Sequence, residues 1–459
     1  MALLEQDHAF EIADALISES DADETEVSIH CVEDRFVRFA ADGPTQAADR
    51  ERYALRVRAR YSVPQDAGGG FREASASAGD LDEESAFAAL DRASLLASLA
   101  DPDPGAAPLG GSAPVEPTAP SRPTQDHTVR EKGAWISAAL DAAEEAELDA
   151  SGLARSGVAC AALVNSAGRR VFGATSRASF ELSCADRGAD AETLGGAAAG
   201  ASVAPFVDQV SVDGTVADVV EAAVQSRAPE AFDPEPTDVV LAPAAVAALL
   251  TFAAGAGFGA REFSEGSSFL TGRVGDAVLD PRVTVRDDVT DARIRGLRFD
   301  GEGQPRERVS LVEGGVLGRP VTDRTWASRL GLPNTGHGAP QPSARGPLAD
   351  ALVMEARDRS VEELCADVGD GLFVRQLHYV NLIEPKELVL TGMTRGGTFR
   401  IEDGRVGAPV RNLRFTQSLV RALQDVIGVG DTALRQGSLM GQDVVVPALA
   451  VRGFAFTSA

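Results

Sequence analysis

Lysine is nearly missing from this chain, and histidine, cysteine and aromatic residues are sparse. Of 43 basic residues only Lys132 and Lys386 are lysine. That leaves few candidates for Schiff-base or Ser–Lys chemistry, and no SxxK motif occurs. The four cysteines, Cys31, Cys160, Cys184 and Cys365, lie far apart without CxxC or CxxH. Zinc ribbons, zinc fingers and thioredoxin-type motifs are therefore excluded. Each cysteine reads as a small buried apolar residue in a reducing compartment. No two of the five histidines, His8, His30, His127, His337 and His378, fall within one helix turn, so HExxH is absent. A zinc site needs three or four converging ligands, and nothing in the spacing brings them together. No run reaches the ~18 uninterrupted apolar residues of a membrane span. The opening MALLEQDHAFEIADALI carries acids where a secretory signal starts basic. The expectation is a soluble, cytoplasmic protein without a membrane role.

What is abundant is acid. Across 459 residues, 69 Asp and Glu against 43 Lys and Arg give a net charge of −26. Such a surface repels phosphate backbones and anionic lipid, which argues against nucleic acid as a partner. Dense carboxylate with arginine in place of lysine reads as a halophilic-type acidic surface. A GC-rich codon bias towards Ala, Gly, Arg and Asp is the alternative. Either way this bears on solubility, not on fold.

The pattern along the chain predicts α+β: two domains, each with a mixed or antiparallel sheet and packed helices, the C-terminal half strand-rich. Residues 7–18 read as an amphipathic helix, with Phe10, Ile12, Ala15 and Leu16 inward. Residues 25–40 and 53–61 read as strands. In the second, Leu55, Val57, Ala59 and Tyr61 face one way and Arg56, Arg58 and Arg60 the other, as a solvated face paired with local acids. Helices are expected over 80–99, 130–148 and 216–224, and strands around 157–163 and 169–183. A proline-rich connection spans 101–125. The expected organisation is an N-terminal domain over 1–227, a linker over 228–236 and a C-terminal domain over 237–459. The latter opens with a helix near 243–254, continues mainly in strands, and has a late helix over 419–427.

Conventional catalytic parts are missing. No GxSxG marks a serine nucleophile. The GAGFGA cluster at Gly255, Gly257 and Gly259 follows a helix, the wrong order for a phosphate cradle. Asp287–Asp288 and Glu362–Glu363 read as solvated pairs. Glu262, Glu265, Asp300 and Glu302 are the one set that could offer oxygen ligands to a hard cation. An open sheet edge could bind extended peptide by adding a strand.

Several second-half segments together resemble the TldD/PmbA family. LVEGGVLGRPVTDRTWASRLGLPNTGHG (311–338) resembles that family's "IENGVL…YLYD…AKKLGL…STGN" block. The stretch from GDGLFVRQLHYV to RIEDGRVGAPVRNLRF resembles its "(Y/F)xIENGxxxxPVxxxxI" strand block, and VVVPALAVRGFAF resembles its closing "PxLxVxxMTVGG". The resemblance implies a two-domain α+β fold and a heterodimeric protease acting on unfolded or modified peptides. It also implies, for TldD-like members, a metal held by HExxxH and a late cysteine. Aligned in register, Thr251, Phe252 and Ala256 occupy the HExxxH positions here and Leu439 the cysteine position. None supplies a ligand atom suited to zinc or a carboxylate base. That pattern resembles the PmbA (TldE) branch, which lacks the motif. The implied role is a non-catalytic subunit with no catalytic residue, metal or cofactor of its own. Its partner would be a TldD-like catalytic subunit carrying metal, expected to be zinc, and its substrate an unfolded peptide. Asn334, Thr335, Gly336, His337 and Gly338 are the candidate substrate-channel residues. The alternative is a stand-alone peptide- or protein-binding regulatory module, as a homodimer without protease activity.

Overall fold

The computed structural model describes residues 4–187, 195–437 and 442–458. Leu439 lies outside the described residues. In the first half, α1 (Gln6–Glu19), β1 (Glu24–Ala40), β2 (Gly43–Ser62), β3 (Phe71–Ala78), α2 (Glu83–Leu99), α3 (Arg122–Gln125), α4 (Val129–Glu145), β4 (Leu148–Asn165), β5 (Arg170–Asp186), β6 (Ala197–Ala204) and α5 (Val212–Gln225) follow in order. The strands form one antiparallel sheet, ordered β3-β2-β1-β4-β5-β6.

Alternation explains how this sheet is used. Val27, Ile29, Cys31, Val37 and Phe39 share one face of β1 and are all buried. The first three pack with α1 and α2, the last two with α4 and α5. Helices α2 and α4 start where a side chain satisfies free N–H groups. Asp82 accepts from Ser85 N (2.9 Å) ahead of the acidic first turn of α2, and Thr128 with Glu131 forms a capping box on α4. The opposite sheet face meets the second half, where Leu163 and Val171 pack on Leu297 and Phe299. The proline-rich stretch runs along this seam. Ala107 O accepts from Arg60, Gly110 O from Asn165, and Pro108 O from Arg324.

The second half contains β7 (Pro236–Leu241), α6 (Pro243–Ala256), α7 (Ala260–Ser264), β8 (Val285–Asp287), β9 (Val309–Glu313), β10 (Val316–Leu317), α8 (Arg324–Leu330), β11 (Ala351–Met354), α9 (Val361–Val368), β12 (Gly371–Glu384), β13 (Val389–Glu402), β14 (Arg405–Val410), β15 (Arg414–Ser418), α10 (Leu419–Ala422), β16 (Val426–Val429), β17 (Leu434–Gly437), β18 (Asp443–Val446) and β19 (Leu449–Ser458). One mixed sheet runs β10-β9-β8-β11-β18-β17. A second runs β12-β7-β19-β15-β13-β14, and the additional β12–β13 pairing closes five of its strands into a ring. The fold is α+β, with antiparallel pairing throughout the first half and two parallel pairings, β7–β12 and β11–β18, in the second. No helix among the described residues is long and apolar enough to cross a membrane.

Several sequence expectations are corrected, beginning with Ala15, which is exposed on α1 while Ala13 and Leu16 are buried. The late helix over 419–427 stops at Ala422, and Val426–Val429 becomes a strand on β19. Its β-branched Val426, Ile427 and Val429 favour pairing, and Gly428 and Gly430 disfavour helix continuation. Arg58 and Arg60 are buried, not solvated. Antiparallel register places Glu26 opposite Arg58 and Glu24 opposite Arg60 on β1, and Glu73 opposite Arg60 on β3.

Candidate functional site

Helix α6 carries Thr251, Phe252 and Ala256, the positions that the resemblance sets against HExxxH. It starts with Pro243 in its first turn, where a missing N–H is harmless. Eight of its residues are buried, so it is a core helix. Thr251 is buried, and its hydroxyl donates to Ala247 O, one turn back, at 2.9 Å. Phe252 and Ala256 pack against the central apolar cluster. The only heteroatom among these three side chains is thus already engaged, so they do not fit a metal. Among the described residues no three His, Cys, Asp or Glu side chains converge as a metal-binding group. The cation set suggested by sequence is likewise dispersed: Glu262 and Glu265 sit on and after α7, while Asp300 and Glu302 are buried at the seam.

The predicted channel segment is interior. Thr335, Gly336, His337 and Gly338 are buried and Asn334 is half-buried, so the first four line no open surface in this chain. The reason is local. Asn334 Oδ1 accepts from Gly336 N (3.0 Å), His337 N donates to Thr322 O (3.1 Å), and Gly338 N donates to Asp300 Oδ2 (2.6 Å). Gly336 has φ +72°, and a Cβ there would stand 2.2 Å from Pro305 O. Only glycine fits.

His337 then lies between two partners. Its Nδ1 is 2.9 Å from Thr335 Oγ1, and its Nε2 is 2.9 Å from Asp287 Oδ1, an ion-pair distance without hydrogen-bond alignment. Asp287 also accepts from Arg306 (2.8 Å) and from Ala351 N (2.9 Å). Burial alone would raise the Asp287 pKa, but Arg306 and His337 outweigh it and hold the carboxyl well below its usual range. Hydroxyl, imidazole and carboxylate occur in the order of a nucleophile, base and orienter. However, Thr335 Oγ1 lies 3.1 Å from Thr322 O, and the imidazole and Asp287 carboxylate have no exposed surface. No substrate reaches them. The arrangement pins the 334–338 segment to β8.

Beside it sits a cluster of buried acids and arginines that sequence reading did not assemble. Burial and the nearby Glu302 push Asp300 up to about 7, against three backbone N–H donors that favour its charge. Burial pushes Asp323, the cap of α8, up to about 6. Glu302 Oε2 accepts from Arg324 N (3.0 Å). Across the seam, Glu26 is raised by burial while Arg58, 3.4 Å away, opposes the rise. Arg58 and Arg60 each donate to Glu73 at 2.7 Å. The signal was present as E-x-E at 24–26 against R-x-R at 58–60, but only the strand register turns it into contact. Asp288, expected solvated, is buried beside Arg286 (3.3 Å), and Glu363 closes a capping box with Ser360.

Residues 234–458 match the family described as the PmbA/TldA metallopeptidase C-terminal domain. Through this half, the chain belongs to the PmbA/TldD family. A metalloprotease of Methanothermobacter thermautotrophicus is 28% identical over 173 residues, 36% of this chain and 36% of that protein. A metalloprotease TldD homolog of Haemophilus influenzae is 28% identical over 170 residues, 36% of this chain and 34% of that one. The chain thus spans about a third of the length of these curated relatives. The fold match extends further. TldE from Thermococcus kodakarensis superposes with a TM-score of 0.85 over 97% of this chain and 100% of that chain, at 19% identity. The architecture of both halves is therefore TldE-like.

Proposed function

We propose that this chain is the non-catalytic, TldE-like subunit of a TldD/TldE-type heterodimeric metalloprotease that processes unfolded or modified peptides. The observation carrying the reading is the state of α6. In a metallopeptidase-family domain, the positions aligned with HExxxH are Thr251, Phe252 and Ala256, and they serve packing. Thr251 binds its own helix, and the other two join the core. A TldD-like partner would then supply metal and general base. This chain would complete the enclosure around the substrate and exclude folded domains by steric clash. The two-domain organisation, with 228–236 as connection, belongs to the same reading. Glu230 within that connection bonds to β14, with Glu230 N donating to Pro409 O at 2.9 Å.

Metal analysis tests this. The purified chain should bind no stoichiometric zinc, whereas its complex with the TldD-like chain should carry one metal site's worth, lost on substituting the partner's motif. Stoichiometric, tightly held zinc on this chain alone would overturn the proposal.

A further inference from the structure

A cleft of about 360 Å³ opens where α5 meets α9, β12 and the start of β14, and no residue of α6 lines it. Its size is at the lower end for small-molecule sites, and junctions between chain segments are where such sites form. The lining divides cleanly by chemistry. Val361, Cys365, Phe373 and Val406 supply an apolar surface, and Val361 and Val406 are 36% and 43% exposed. Val361 on α9 and Val406 on β14 leave apolar surface open within the cleft, which gains by being covered.

Charge of both signs surrounds it. Asp218 on α5 and Arg375 on β12 neutralise each other, with Arg375 Nη1 donating to Asp218 Oδ1 at 3.0 Å. Glu221 accepts from Gln225 at 2.8 Å. Glu362 and Arg405 remain; among the described residues neither has an ion-pair or side-chain hydrogen-bond partner. One is held on the first turn of α9 and the other at the start of β14, so both are presented to the cleft by regular structure.

We infer that this cleft binds a small zwitterion with an apolar body, a free apolar amino acid or a short apolar peptide. Arg405 takes the carboxylate, Glu362 takes the ammonium group, and Phe373 with Val361 and Val406 covers the side chain. A guanidinium recognises a carboxylate through paired N–H donors, and a lone carboxylate is the matching acceptor for an ammonium. A purely anionic ligand would meet Glu362, Glu221 and Asp218, and a purely cationic one would meet Arg405 and Arg375. A ligand carrying both charges satisfies Glu362 and Arg405 together.

The test is calorimetric titration of the full chain alone, in molar salt, with leucyl-leucine and with leucine. Saturable binding of either at one per chain is expected, and which binds tighter separates peptide from amino acid. Amidating the carboxyl end or acetylating the amino end of leucyl-leucine should weaken binding by about tenfold or more. Arg405→Gln should weaken the free peptide equally but leave the amidated one unchanged, and Glu362→Gln should do the same for the acetylated one. Both substitutions are on exposed side chains, and an unchanged melting temperature confirms that the fold persists. No saturable heat with either probe overturns the inference. So does equal binding of capped and free peptides, or indifference to both substitutions. No partner chain and no cleavage enter the measurement, so its failure leaves the proposed subunit role standing, and the reverse.

Discussion

His337 Nε2 lies 2.9 Å from Asp287 Oδ1, and neither side chain has any exposed surface. Fifty residues of chain separate them, and their contact ties the 334–338 segment to the short strand β8. This contact gives the histidine a structural task. His337→Ala should lower unfolding stability by about 1–3 kcal/mol, since it leaves a buried carboxylate short of one partner. Chemical denaturation of the purified chain checks this. An unchanged midpoint together with slower cleavage by an assembled complex would return His337 to the substrate path.

The arginine face of β2 yields a second prediction. Arg58 and Glu26 are both buried, 3.4 Å apart at the seam between the halves. Arg58→Met removes the cation and strands Glu26 and part of Glu73, at a cost of about 3–5 kcal/mol. Adding Glu26→Leu should recover much of that loss, because the surviving buried charge goes with it. A double variant no more stable than Arg58→Met would show that the pair is not coupled.

Asp300 makes stability depend on pH in a defined direction. Its folded pKa is raised from 3.8 to about 7, so the folded state holds the proton more tightly than the unfolded state does. The resulting stabilisation is complete below about pH 4 and is lost as pH rises through about 7. Relative to Asp300→Asn, the native chain should lose on the order of 4 kcal/mol across that window. Urea unfolding at about pH 4 and about pH 8 measures the difference. A constant gap between the two proteins would contradict the buried, protonated acid.

Thr251 offers a prediction of near silence. Its hydroxyl returns to a helix carbonyl that needs no further donor, so Thr251→Val should shift stability by less than about 1 kcal/mol. Cleavage by an assembled pair should stay at the native rate. A marked loss of rate with an intact complex would give this hydroxyl a role in catalysis.

The elements that sequence made legible are those governed by local pattern. The helices α1 and α5 follow from periodicity, α2 and α4 from periodicity with caps, and α6 from its apolar run. The alternation of Leu55, Val57 and Ala59 against Arg56, Arg58 and Arg60 assigns both faces of β2. What the arginines meet was not legible, because Glu24, Glu26 and Glu73 reach them through strand register. His337 looked like an exposed turn residue because Asp287 and Thr322 approach it only through tertiary packing. The segment 419–427 has a helical apolar pattern, yet pairing with β19 prevails beyond Ala422. Glu362 and Arg405, far apart in sequence, face one cleft only once α9 and β14 are folded together.

In the proposed subunit role, this chain works without chemistry of its own. The most direct measurement is peptide cleavage in high salt by the purified chain, by a TldD-like chain from the same source, and by the two mixed, with metal supplied. The account predicts that this chain alone is inactive and that adding it to the TldD-like chain produces or strongly raises cleavage. Chelator-sensitive cleavage by this chain alone would contradict it.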